Sequence, residues 1–398
     1  MSFANSNFDV IIAGAGPAGV SAAIHLANRG VRVLLVERNI FPRAKLCGEF
    51  ISPECLPHFE RLGVAAELEL ADPAAITETV FYSSKGKRIV VPSHWFGGAA
   101  AMGLSRAKMD DKLLKQAKAV GVEVMEDSTV TDLIEDEDSV HGVQLRNRHG
   151  DREEVARLVI DATGRTRALA RKVKRSDTRH AKKSQLVAFK THMNGARSDR
   201  SVCEIYSYPG GYGGLSTIED GLSNLCFIVD AAHVIQAHSD PETVMHENVM
   251  RNSRAAFTLA EANVATVWLS VSLERFGRQR PSPAKGLLAI GDSASFIDPF
   301  TGSGMLMALE TGQLVSDIIV RHLNKSSIST LCAKYEEEYR AKFDSRLRVC
   351  NVLRRVAFRP RLAQFAITTC GVSDRFRSWL ARSTRSTIND NAPFTGTT

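Results

Sequence analysis

Residues Phe8 to Glu37, FDVIIAGAGPAGVSAAIHLANRGVRVLLVE, decide the fold. The apolar run Val10 to Ala13 does not alternate with polar residues, so it reads as a strand buried on both faces. Gly14-Ala15-Gly16-Pro17-Ala18-Gly19 follows and fits G-x-G-x-x-G. A small-residue helix, Val20 to Asn28, comes next, and a second apolar run, Val31 to Val36, ends on Glu37. In that order the glycines have separate duties. Gly14 permits a tight turn, Gly16 lets the backbone approach a pyrophosphate, and Gly19 lets helix and strand pack closely. Free N–H groups and the positive dipole end at the helix start favour an anion. Glu37 stands 18 residues after Gly19, about where an acid meets a ribose hydroxyl. The unit predicts a dinucleotide site. An acid at position 37 argues against a 2′-phosphate, so the ligand is FAD or NAD and not NADP.

The chain has 398 residues, 44% of them hydrophobic, enough for a large core in two joined domains. Its net charge is +7, unevenly placed. From Arg340 to Arg385 twelve Lys/Arg face only Asp344 and Asp374, a local +10. The seven cysteines (47, 55, 203, 226, 332, 350, 370) form no CxxC pair, which points to reduced thiols and not to a disulfide framework or zinc site. No metal site is expected. Only seven mostly polar residues precede the first strand, so no signal peptide is read there. No apolar run reaches ~18 residues, the length of a spanning helix. The expected location is cytoplasmic.

Arg38 to Pro53 (RNIFPRAKLCGEFISP) leaves the C-terminal end of the second strand, where open α/β sheets bind ligands. On composition alone Cys47-Gly48-Glu49 reads either as an ordinary loop or as a polar group beside a ligand. Glu54 to Leu62 carries a helical stripe broken by Pro57, and Thr77 to Val91 reads as a hairpin around Lys85-Gly86-Lys87. Arg106 opens a helix running Met109 to Val120, after which VEVME and VTDLIEDEDSVHGVQLR suggest an inserted β-meander. Ala156 to Asp161 is a buried strand. The basic residues at 165, 167, 171, 172, 174 and 175 read as a solvated helix face. Gln185 to Trp268 alternates between Gly-rich turns, the texture of an antiparallel sheet, with a helix around Pro241 to Ala260 covering it. Gly286 to Ile290 returns to a buried strand, and Asp298 to Gly304 leads into a helix, Met305 to Leu323, whose N-terminus also suits an anion. Tyr335 to Leu380 is helical and basic, either a solvated face or an amphipathic membrane-surface helix.

Four pieces in this order, GAGPAG with Glu37, Arg106 opening a helix, Asp161-Ala-Thr-Gly164, and Gly291-Asp292 with Pro299-Phe-Thr-Gly302-Ser-Gly304, resemble the FAD-dependent group that contains para-hydroxybenzoate hydroxylase, geranylgeranyl reductases and flavin-dependent halogenases. The resemblance covers about residues 8 to 325. It implies an α/β fold: a Rossmann-type FAD-binding domain (1–75, 100–184, 275–325) and an inserted antiparallel-sheet substrate domain (76–99, 185–274); the residues beyond it read by composition as a C-terminal helical region (326–385) and a disordered tail (386–398). It implies that FAD is held by Gly14, Gly16, Ala18, Gly19, Glu37, Arg38, Arg106, Asp161, Gly164, Gly291, Asp292, Pro299, Gly302, Ser303 and Gly304. Thr163 precedes Gly164 where family members often carry Asp, so Asp161 matches the DATG form.

Within that group, Lys45-Leu-Cys47-Gly48-Glu49-Phe-Ile-Ser52-Pro53 looks most like geranylgeranyl reductases, which implies Cys47 and Glu49 as catalytic residues beside the flavin. The same loop read as Gly48-Glu49 with Pro53 is similar to halogenases, whose further lysine would be Lys85 or Lys87. Their tryptophan-rich motif is absent, since Trp95, Trp268 and Trp379 stand far apart. The expectation is therefore a FAD-dependent reductase of an isoprenoid or acyl chain, using NADPH or NADH transiently. The alternatives are an aromatic or polyketide monooxygenase, a halogenase, and a flavin-binding lipid carrier without turnover. The partner is a hydrophobic small molecule, with peripheral membrane contact through the basic C-terminus and no nucleic acid, because no aromatic-basic platform accompanies the charge.

Overall fold

A computed structural model describes residues 7–97, 100–137, 139–173, 185–273, 276–298, 302–357, 378–379 and 382–383. Within them, the first layer is a five-stranded parallel sheet ordered Leu287–Ala289, Leu158–Asp161, Val10–Ala13, Val33–Val36, Glu123–Met125. Val10–Ala13, Val33–Val36 and Leu287–Ala289 are wholly apolar and Leu158–Asp161 is apolar up to its last residue, as a sheet covered on both faces requires. Register aligns Ala13 with Val36 on one side and Asp161 on the other, and Asp161 with Ala289. The turns after these strands, which begin at Gly14, Glu37, Ala162 and Ile290, therefore emerge side by side at one edge. Glu123–Met125 extends this sheet; the expected meander is confined to Thr129–Glu135, Val140–Asn147 and Gly150–Val155.

The helix Pro17–Ala27 begins in the glycine turn and lies against the helix Gly304–His322. Gly312 makes that approach possible, since a Cβ there would stand 2.8 Å from the Ala18 carbonyl oxygen. Ser21 and Ser316 donate across the contact to the carbonyls of Leu309 and Ala22. Pro57, expected to break its helix, instead sits in the first turn of Leu56–Arg61, where a missing N–H costs nothing.

The second layer is an eight-stranded sheet. Leu186–Asn194, Ser223–Asp230, Gly211–Thr217 and Val202–Tyr208 run antiparallel in turn, then Glu78–Tyr82 joins Val202–Tyr208 in parallel and Arg88–Pro92 closes the hairpin. Its outer face presents Phe189, Tyr206, Tyr208, Leu215, Leu225, Phe227 and Val229 to the helices beyond it. Those are three helices, Ala231–Gln236, Pro241–Asn248 and Ser253–Leu259, where the sequence suggested one.

The helix Ile328–Ala357 buries Leu331, Cys332, Tyr335, Tyr339, Phe343, Leu347 and Cys350 in the core of the first layer. Tyr335 donates to the Ala289 carbonyl and Tyr339 to Ser295 Oγ, both at 2.8 Å. This apolar stripe is thus occupied by the protein itself, which corrects its reading as a membrane-surface face over these residues. The expected disordered tail (386–398) and most of 358–385 lie outside the described residues. Among the described residues no helix is long and apolar enough to cross a membrane.

Candidate active site

The strand ends and the inner face of the second sheet enclose a cavity of about 730 Å³. Its walls follow from register. Side chains alternate along a strand, and with Phe189 and Phe227 outward, Ala188, Lys190, Cys226 and Ile228 point in. Pairing then carries the inward set to Tyr212 and Gly214, to Cys203, Ile205 and Ser207, and to Thr79, Phe81, Ile89 and Val91. All of these but Lys190 line the cavity. The end away from the glycine turn is therefore mostly aliphatic and phenyl, with the small polar side chains of Thr79, Cys203 and Ser207 among them, and Phe96 lines it as well.

The other end is polar. Gly14, Gly16, Ala18, Glu37, Arg38, Arg106, Gly164, Gly291, Asp292, Gly302 and Gly304, all named from the sequence for FAD, line it together with Arg43, Lys45 and Arg165. Gly19 and Ser303 are buried behind the wall, and Pro299 lies outside the described residues. Asp161 is also behind the wall. It is fully buried, and its carboxylate accepts hydrogen bonds from Thr163 N and Oγ1, Ser293 Oγ and Ala170 N. It shapes the Thr163–Gly164 turn from inside. Glu37 accepts from Ala15 N at 2.9 Å and from Asn39, so one carboxylate fastens the glycine turn to the second strand's end. Arg165 faces the cavity, unlike the solvated helix face expected of it.

Five cations, Arg38, Arg43, Lys45, Arg106 and Arg165, converge at this end. Against them stand Glu37, Asp292 and Asp110, the last accepting from both Arg43 and Arg106. Two positive charges are left over, and a pyrophosphate diester carries two negative ones. Burial opposes the Arg106 charge, but Asp110 outweighs that and holds its pKa above the usual guanidinium range. Burial pushes Asp292 up to about 6 against the pull of Arg165, Arg106 and Lys45. Gly16 adds a steric argument. Its φ is −77° and nothing in the protein lies within 4 Å of where its Cβ would be, so the space is left for a ligand. A dinucleotide with its diphosphate over Gly16 fits these residues.

Burial, then the neighbouring Arg43, Arg106, Arg38 and Arg165, lower Lys45 to about 8. A diphosphate would raise it again, so the complex holds a proton that the free protein loses above pH 8. FAD affinity is therefore expected to be flat only between the Asp292 and Lys45 transitions, about pH 6 to 8, and to fall above pH 8 by up to about tenfold per pH unit. Fluorescence titration of apoprotein checks this, and Lys45→Met should bind more weakly at pH 7 with no such fall.

Between the two ends lies the Cys47–Glu49 loop. Glu49 is fully buried in a left-handed conformation, φ +53°, which costs a non-glycine residue about 1 kcal/mol or more. Its partners explain why it stays. Lys190 Nζ donates to Oε1 at 2.6 Å, Arg106 N to the same oxygen at 2.8 Å, and His192 Nε2 lies 2.7 Å from Oε2. Arg106 is the first residue of the helix Arg106–Ala119, so the carboxylate also meets a helix N-terminus. Burial would raise the Glu49 pKa; the His192 hydrogen bond and the charges of Lys190 and His192 override it and lower it. Cys47 lines the cavity beside the Arg106 guanidinium, and its sulfur accepts from Glu49 N at 3.4 Å. Lys190 and His192 escaped the sequence reading. The signal was two charged residues at alternate positions of the strand VAFKTHM, which places both on one face. Among the described residues no cluster of His, Cys, Asp and Glu is placed to hold a metal ion.

The family described as "FAD binding domain" matches residues 7–347. The chain is 27% identical over 344 residues to a digeranylgeranylglycerophospholipid reductase of Methanosarcina mazei, covering 84% of this chain and 80% of that one. It is 26% identical over 385 residues to the menaquinone reductase of Mycolicibacterium smegmatis, covering 93% and 89%. Among solved structures, the flavin-dependent brominase Bmp2 superposes with a TM-score of 0.80 at 20% identity, covering 95% and 93%, a likeness of fold.

Proposed function

Since this chain belongs to the FAD-binding-domain family, we propose that it is a FAD-dependent reductase that saturates carbon–carbon double bonds in a long apolar substrate, an isoprenoid or acyl chain. The apolar half of the cavity carries this reading. Phe81, Ile89, Val91, Ile205 and Phe96 offer a chain its contacts, outnumbering the small polar side chains of Thr79, Cys203 and Ser207 beside them. The names of the two curated relatives, one a reductase of a digeranylgeranyl lipid and one of menaquinone, support it. Bound FAD supplies two-electron chemistry, delivered as a hydride to carbon or passed to oxygen. In this reading Gly14, Gly16, Glu37, Arg38, Arg106 and Asp292 hold the cofactor, and Cys47 and Glu49 stand at the reacting end. The sheet of 76–99 and 185–274 forms the substrate domain. The reductant is NADPH or NADH, bound transiently, since the chain carries one G-x-G-x-x-G only. The enzyme is cytoplasmic, and peripheral contact with a lipid surface rests on the Lys/Arg excess of 340–385 and not on the apolar stripe already buried in the core.

A halogenase or oxygenase is the second reading, favoured by the fold likeness to the brominase. The lysine it calls for weighs against it, because Lys85 and Lys87 are exposed at a hairpin tip, away from the cavity lining. Anaerobic mixing with NADPH or NADH, followed by oxygen or a digeranylgeranylglycerol phospholipid in detergent micelles, separates the two. The reductase bleaches its flavin, adds two hydrogens per double bond of the lipid, and returns to the oxidised spectrum directly in oxygen. A long-lived absorbing species in oxygen with an unchanged lipid would instead support the oxygen-activating reading.

A further inference from the structure

Saturating a double bond takes a hydride at one carbon and a proton at the other. The hydride comes from the reduced cofactor; the proton must enter a cavity whose substrate half is apolar. Resting on the reductase reading, we propose that the Glu49–His192 pair supplies that proton, with Lys190 as a positioning residue that keeps the Glu49 carboxyl at the cavity wall.

Three observations carry it. Glu49 is the carboxyl group that lines the cavity next to its apolar half, its side chain only 1% exposed. His192, 13% exposed and absent from the cavity lining, connects that carboxyl to the outside through the 2.7 Å contact of Nε2 with Oε2. The arrangement is held from both sides. Lys190 and His192 project from the same face of one strand, Lys190 only 3% exposed, and Thr266 Oγ1 accepts from His192 N at 3.0 Å. Asp292 and Lys45 titrate nearer neutrality but stand at the polar end, and three competing protic groups on the sheet are poorly suited. Burial first, with nearby Glu204 in one case and Cys47 in the other, pushes the thiols of Cys203 and Cys226 up to about 12. The Tyr212 hydroxyl is already donated to Asp298 at 2.5 Å. Cys47 remains the alternative donor.

The balance is simple. The proton starts on His192 Nε2 facing the Glu49 carboxylate, the arrangement that lowers the Glu49 pKa, and crosses to Glu49 Oε2 within the 2.7 Å contact as the step begins. As the substrate carbon forms its new C–H bond, the Glu49 O–H bond breaks and leaves the carboxylate paired with Lys190 and neutral His192. Water at the surface then reprotonates His192. The reduced cofactor has lost two electrons with its hydride and is oxidised, to be reduced again by the nicotinamide.

The test is His192→Gly, assayed with dithionite-reduced holoenzyme and the digeranylgeranylglycerol phospholipid in micelles. Lipid saturation should fall at least 100-fold while flavin content and the rate of flavin reduction stay at wild-type levels. Added imidazoles should restore it, with rates that follow the acidity of the azolium across a series of similar size. A purely structural vacancy would be filled equally by all of them, so rescue independent of acidity overturns the proposal. Wild-type-like turnover by His192→Gly also overturns it and leaves Cys47 as donor, the reductase reading intact. If the wild type itself saturates no bond while its flavin is reduced, the reductase reading falls and takes the proposal with it. Glu49→Gln, which keeps the shape of the side chain, should lose saturation and gain nothing from imidazole.

Discussion

Gly19→Ala should yield a colourless protein: FAD affinity at least 100-fold weaker and a lower melting temperature even without the cofactor. Helix propensity alone predicts the opposite, because alanine is better than glycine inside a helix by about 1 kcal/mol, and Gly19 is within Pro17–Ala27. Sterics outweigh that. A Cβ on Gly19 would stand 1.9 Å from the Gly14 carbonyl oxygen and 3.1 Å from the Ala162 Cβ. Gly14 cannot retreat, since at φ +107° its own Cα faces the Ala162 carbonyl, which a Cβ would meet at 2.4 Å. Helix, turn and the exit of the strand Leu158–Asp161 are therefore in close contact, and adding one methyl must move the turn that meets the diphosphate. Gly16→Ala is the control. With no protein atom in the way, it should melt as the wild type does without FAD, yet bind FAD at least tenfold more weakly. Equal loss of apoprotein stability in both variants would mean that the turn serves the fold alone. Differential scanning fluorimetry and FAD titration of the two apoproteins decide the matter.

What the sequence disclosed, and what it hid, follows from how far apart the partners are. The glycine turn, Glu37 and the strand exits at Asp161 and Gly291 are local patterns, and parallel register brings them together without further information. Glu49 was legible as a polar residue on a special loop, but its partners stand 141 and 143 residues away. No periodicity links them. Period-2 alternation puts Lys190 and His192 on one face of a strand; that this face turns inward is decided by Phe189 and Phe227 filling the opposite core. The short run at Glu123–Met125 has no signal that distinguishes a fifth parallel strand from one of a meander, because pairing and not composition sets its direction. The C-terminal helix shows the reverse problem. Its amphipathic stripe was plain, yet a stripe says only that something apolar covers it, and here the covering surface is the cofactor layer itself.

That covering is fixed by a buried ion pair whose loss should be among the costliest single changes in the chain. Arg346 Nη1 donates to Glu310 Oε2 at 2.7 Å between the helices Ile328–Ala357 and Gly304–His322, with the side chains 3% and 4% exposed. Such a pair need not stabilise much on balance, because desolvating both charges offsets their attraction; removing one partner is different, since it strands the other charge. Glu310→Leu should therefore destabilise by about 3–5 kcal/mol, leaving the guanidinium under the Phe343 ring and the core around it without its carboxylate. Arg346→Met should cost less, because a buried carboxyl that loses this guanidinium can take up a proton and become neutral, as a guanidinium cannot. The double variant Glu310→Leu/Arg346→Met should recover most of the loss, approaching wild-type stability. Glu310 lies in the helix whose first residue, Gly304, lines the polar end of the cavity, so Glu310→Leu should also weaken FAD binding, and the double variant restore it. Urea denaturation of the three apoproteins, paired with FAD titration, reads both. A double variant no better than Glu310→Leu would mean that the two helices are held by shape alone and that the charges report nothing about how the C-terminal helix is fastened to the cofactor layer.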